Sequence, residues 1–193
     1  MGLAVASAGR PVVVATGEGH DGADLVLVGP GRSPRAGAVV AVSTAAVADI
    51  NAAVTTFGAA LDLLILGRDG GSADPVADVL VAAAAAGTVV AVPRPWVGAA
   101  RTVGIASGRL VVLGPPPVPA GRGREGPPWV FEAPSADESP GHLAAACALA
   151  LIGGAVAIVT TQPVVAARAV AVVHGIRSHG RPPAPAGAVT ERG

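Results

Sequence analysis

The sequence predicts an α/β protein with a parallel, TIM-barrel-like (β/α)8 sheet, incomplete, with several helices missing or reduced. Three observations carry this. Residues 61–96 read as strand, glycine-rich turn, helix and strand, a complete βαβ unit whose two strands must run parallel. Eight short runs rich in Val, Leu and Ile recur along the chain: 11–15, 24–28, 38–42, 62–66, 88–92, 109–113, 129–133 and 155–159. Helix-forming stretches alternate with several of them, as in parallel sheets. Eight strands argue for closure, although such barrels typically run to about 250 residues and this chain has 193. The rival is an open, doubly wound sheet with fewer strands.

Pro11–Ala15 (PVVVA) starts the series, and the connection after it is too short for a helix. Asp24–Val28 (DLVLV) runs into a Gly/Pro loop, 29–37, that holds Arg32, Ser33 and Arg35. Ala38–Val42 precedes Ser43 and Thr44 at a helix start, and the helix Ala45–Phe57 ends at Gly58. Leu63–Leu66 is apolar throughout, as in a strand buried on both faces. Ser72, Asp74 and Pro75 then open the helix Val76–Ala86, and Gly87 stops it before Thr88–Val92. Val97–Ser107 offers at most two helical turns. Arg109–Leu113 is a strand, and Gly114–Pro128, with six prolines, is loop. Trp129–Ala133 is a strand, followed by helix Gly141–Ile152, strand Ala155–Val159 and helix Pro163–Val173. We read residues 1–178 as one domain and 179–193 as a Pro/Ala/Gly-rich disordered tail.

Composition excludes several functions. All thirteen basic residues are Arg, the net charge is zero, and there are two Trp, two Phe and no Tyr. Neither a basic stripe nor a stacking platform for nucleic acid is present. The lone Cys147, in an apolar helix, excludes an intrachain disulfide and a paired-Cys metal site. Leu143–Val159 approaches the length of a membrane span, but Gly153-Gly154 divides it into helix and strand. The N-terminus makes a poor signal peptide, so a cytoplasmic location is expected. No metal-ligand cluster, dinucleotide fingerprint or Ser-His-Asp arrangement is visible, and no cofactor is expected.

The order of motifs resembles the dihydropteroate synthase family, the pterin-binding barrels of folate biosynthesis. Gly22–Val28 with the loop to Ala38 resembles that family's "GADIIDIGGESTRPGA". Ala38–Ala53 followed by Gly58 resembles its "ISVDT" strand, helix and "AGA" turn. Gly70–Pro75 resembles "GGLADP", and Leu143–Val173 resembles the closing "AALAALRGADIVRVHDV" segment. The resemblance implies a transferase that condenses dihydropterin pyrophosphate with p-aminobenzoate. Buried carboxylate and amide groups would hold the pterin, and basic groups with Mg²⁺ the departing pyrophosphate.

Most of the residues that the resemblance assigns to this chemistry are replaced. Ser43 stands for the Asp ending the third strand, although Thr44 matches. Pro93 stands for a His, Gly114 for the Asp of "DPG", Pro134-Ser135-Ala136 for Ser-Arg-Lys, and Thr160-Thr161-Gln162 for Arg-x-His. Residues from Ile65-Leu66-Gly67 take the place of Asn-Asp, and the first-strand Asn that would serve Mg²⁺ has no counterpart. Only the second-strand loop keeps its family residues, Ser33 and Arg35.

The candidate binding residues are therefore Ser33, Arg35, Thr44, Arg32, Arg94 and Asp69, with no catalytic residue and no metal ligand. Arg32, Arg35 and Arg94 suit a small anionic or pterin-like ligand, and Asp69 could replace a lost pterin carboxylate. Glu132, within the seventh strand, is a site candidate if it faces inward; an outward, solvated position is the expectation. The functional expectation is a pseudoenzyme, a catalytically silent interaction or regulatory module that pairs with itself or another protein through uncovered strand faces. The alternative is a working synthase, or an enzyme on another small anionic substrate.

Overall fold

The computed structural model describes residues 10–16, 21–28, 40–44, 46–67, 77–114, 128–133 and 139–179. Eight strands are present: β1 (Val12–Thr16), β2 (Leu25–Val28), β3 (Val40–Thr44), β4 (Leu61–Leu66), β5 (Val89–Pro93), β6 (Leu110–Leu113), β7 (Trp129–Glu132) and β8 (Ala155–Thr160). Each pairs in parallel with the next, and β8 pairs with β1, so the barrel closes. The open-sheet alternative is thereby excluded. Every strand lies within two residues of its expected bounds.

Five α-helices are present among the described residues: α1 (Val47–Phe57), α2 (Ala77–Ala85), α3 (Val97–Thr102), α4 (Pro140–Ile152) and α5 (Pro163–His179). They follow β3, β4, β5, β7 and β8. The last runs six residues beyond the expected Val173, into what was expected to be the start of the tail; the remainder, 180–193, lies outside the described residues. Arg177 fastens this extension by donating from Nη2 at 2.7 Å to the Leu151 carbonyl in the last turn of α4, which also accepts the Gly154 N–H.

The register fixes which side chains face inward. Starting at Val14, moving to the paired residue on each next strand and then one residue onward gives Val26, Ala41, Leu64, Ala91, Val112, Val130 and Ile158, and the circuit returns to Val14. One residue of stagger per strand is the geometry in which alternate strands supply each inward-facing layer. Val14, Ala41, Ala91 and Val130, from the odd strands, belong to one core cluster inside the barrel. Val26, Leu64, Val112 and Ile158, from the even strands, pack outward against other elements. The next inward layer is Leu27, Ile65, Leu113 and Val159. The core is thus made of Val, Ala, Leu and Ile in stacked rings, as the scarcity of aromatic residues requires.

Candidate functional site

One layer above Leu27, Ile65, Leu113 and Val159, at the C-terminal ends of the odd strands, the same register places Thr16, Ser43, Pro93 and Glu132. The C-terminal mouth is where barrels of this type carry their chemistry. Below this layer every inward-facing residue in register is apolar; within it, three of four are polar. Among the described residues Ser43 Oγ is buried without a hydrogen-bond partner, and Glu132 Oε1 is buried as well. Since buried polar atoms are normally satisfied, Ser43 marks a place where a ligand or water belongs.

Glu132 is a correction to the sequence reading, which expected it outward and wet. It shares the face of Val130, which lies in the interior cluster, whereas Trp129 and Phe131 take the outer face. Alternation along WVFE revealed the two sets but not which of them pointed inward.

Thr44 and Arg94 are the expected site residues that fall within the described regions. Thr44, one position beyond Ser43, faces outward and is 5% exposed. Its hydroxyl accepts the Ala46 N–H at 3.0 Å and donates to Asp49 Oδ2 at 3.0 Å. It therefore launches α1, with Asp49 in the favourable first turn. Thr160 at the end of β8 repeats the device, accepting the Gln162 N–H at 3.0 Å just before α5. Arg94 is exposed in the short 3₁₀ turn Arg94–Trp96 after β5. The structure does not bring Thr44 and Arg94 into the mouth layer. Arg32, Ser33, Arg35 and Asp69 lie outside the described residues.

The rim beside Pro93 is closely fitted. Gly67, at the end of β4, has φ +68°, and a Cβ there would lie 3.1 Å from Trp96 Cη2 and 3.2 Å from Pro93 Cγ. Gly67 thus permits both a left-handed turn and the seating of the Trp96 ring. No group of three His, Cys, Asp or Glu that could hold a metal exists among the described residues. None of their helices is long and apolar enough to cross a membrane. The Cys147 thiol, on the buried face of α4, is pushed up to about 11 by desolvation, which disfavours the reactive thiolate.

No protein-family model matches the chain, and no curated protein matches it in sequence. Solved structures do. A dihydropteroate synthase from Coxiella burnetii, in complex with pteroic acid, superposes with a TM-score of 0.63 at 16% identity, over 88% of this chain and 94% of that one. The Xanthomonas albilineans enzyme with 7,8-dihydropteroate gives 0.64 at 18%, over 88% and 94%. The barrel has the dihydropteroate synthase fold. The Burkholderia cenocepacia synthase, complexed with 7,8-dihydropteroate, agrees at 0.63 and 16%, over 89% and 93%. The dihydropteroate synthase-like reading of the motif order holds for the architecture. At the mouth, this version of the fold presents hydroxyls, a proline and one carboxylate.

Proposed function

We propose that this dihydropteroate synthase-like protein is catalytically silent and acts as an interaction or regulatory module, with a small ligand at its mouth. The observation that carries the reading is the mouth layer itself, Thr16, Ser43, Pro93 and Glu132, which contains no basic side chain. A leaving pyrophosphate develops negative charge that must be met by cations, and each such partner is worth roughly 3–4 kcal/mol of transition-state stabilisation. Here the layer holds two hydroxyls, a proline and a carboxylate. Among the described residues the Mg²⁺ of the resemblance finds no fitting ligand set either: β1 offers only Thr16 beside apolar residues. We derive no step through it.

The related solved structures hold pteroic acid and 7,8-dihydropteroate, which supports a pterin-like ligand here. Pairing with a second copy or another protein, and a cytoplasmic location, are parts of the same reading and rest on the sequence. A second reading, an enzyme acting on a small anionic substrate, draws on exposed Arg94 at the end of β5 together with Arg32, Ser33, Arg35 and Asp69 in loops outside the described residues.

Titration calorimetry with 7,8-dihydropterin pyrophosphate and Mg²⁺, followed by addition of p-aminobenzoate and a product assay, separates the two. Absence of product is expected. Turnover that Arg35→Ala abolishes would replace the first reading with the second.

A further inference from the structure

Among the described residues, every well-exposed large apolar side chain stands on a helix and none on a strand. The apolar surface open to a partner is therefore helical, not the uncovered strand faces expected from the sequence. The helices α1 and α2 carry one such residue each, Val54 and Val81, which is ordinary for a protein surface. Leu149 and Ile152, three apart on α4, and Val172 and Ile176, four apart on α5, are 69%, 60%, 61% and 68% exposed. These spacings put each pair on one stripe of its helix. The two helices pack side by side. Arg177, next to Ile176, donates to the Leu151 carbonyl and, at 3.5 Å, to the Ile152 carbonyl. The two pairs therefore meet where the helices end, at the foot of the barrel opposite the mouth. Ala145 and Ala171, small and also exposed, continue the stripes.

We infer that this α4–α5 face docks on the same face of a second copy of the chain, about a two-fold axis. Its charge argues for self-association. No Asp or Glu lies between residues 140 and 179, and the two helices carry only Arg168 and Arg177 as formal charges. Arg177 is tied to the α4 carbonyls, so two such faces meet with little like-charge opposition. Contacts between different proteins are about as polar as the rest of their surfaces, whereas contacts between identical copies are more apolar and poor in charge. Area argues the same way. Burying a Val, Leu or Ile side chain removes on the order of 100 Å² of apolar surface. A two-fold axis uses the patch twice, so these side chains give roughly 500 Å² of contact, a dry centre for an interface of about 1,600 Å². The inference deepens the interaction part of the proposed function and rests on that reading, naming its partner and its surface.

Sedimentation velocity of the full chain, from low to high micromolar concentration, tests this. A monomer–dimer equilibrium that stops at the dimer is expected. Leu149→Glu and Ile176→Glu, each placing a carboxylate on both copies of an apolar contact, should weaken dimerisation at least about tenfold. Val81→Glu, an equally exposed change on α2, should leave it unaltered. Circular-dichroism melts check that each variant folds. A wild type that stays monomeric overturns the inference and leaves the face to a different partner. Assembly that runs past the dimer, a folded Leu149→Glu that associates like the wild type, or an equal loss in Val81→Glu overturns it too. Should Leu149→Glu fail to fold, Ile176→Glu decides by the same criterion. Turnover of dihydropterin pyrophosphate would remove the proposed silence yet leave standing a dimer that Leu149→Glu breaks, and a monomeric chain would leave the silence standing, so the two failures are distinguishable.

Discussion

Asp24 holds both backbone groups of Val13. Its N–H donates to the Val13 carbonyl at 2.9 Å, and its Oδ2 accepts the Val13 N–H at 2.9 Å, while Arg10 pairs with the other carboxylate oxygen. This clamp sets the start of β2 against β1. Asp24→Ala strands the buried Val13 N–H and should cost about 1–3 kcal/mol in urea unfolding. Arg10→Ala should cost less than about 1 kcal/mol, since Arg10 is 45% exposed and the pair is solvated. Equal losses for the two would mean that the ion pair, not the backbone clamp, stabilises this corner.

Thr44→Val removes the hydroxyl that links β3 to the first turn of α1. A loss of about 1 kcal/mol in urea unfolding is expected, the size of a capping interaction, with ligand affinity unchanged. Altered ligand affinity in a normally folded variant would return Thr44 to the binding site.

Gly67→Ala meets two obstacles, a φ of +68° and the Trp96 and Pro93 atoms just over 3 Å away. A destabilisation of about 1–3 kcal/mol is expected. Tryptophan fluorescence should report displacement of Trp96 from the rim. A neutral effect on both stability and fluorescence would show that the rim yields easily.

Cys147 should resist a thiol reagent in the folded protein at pH 8 and react fully in urea. Its thiol is held near 11 by burial, against 9.0 for a free thiol. Between those values the unfolded chain gives up its proton first, so the unfolded state is favoured and stability falls as pH rises from about 9 to 11. Below 9 both states keep the proton and this contribution is flat. Cys147→Ala, whatever its packing cost, should flatten the slope of stability against pH in that window.

Much of the barrel was legible in the chain. The apolar runs located all eight strands, and the helices after β3, β4, β7 and β8 were read from alanine-rich stretches with their starts and stops. These are local properties: a β-branched run extends itself, and Gly87 ends α2 wherever the segment lies. The extension of α5 to His179 was not legible, because it depends on Arg177 reaching the end of α4, a contact between elements.

The sequence alone determined the alternation of side chains in each strand and the replacement of the charged groups that the resemblance implied. Tertiary structure decided which half of each alternation faces inward. Val130 and Glu132 share one face and Trp129 and Phe131 the other, and nothing within those four residues chooses between them. Closure chooses, because one residue of stagger per strand leaves a single set of odd-strand side chains at the height of Val14. The same closure carries Ser43 and Glu132, eighty-nine positions apart (132 − 43), into one ring, and turns Thr44, the next residue on β3, outward to hold a helix.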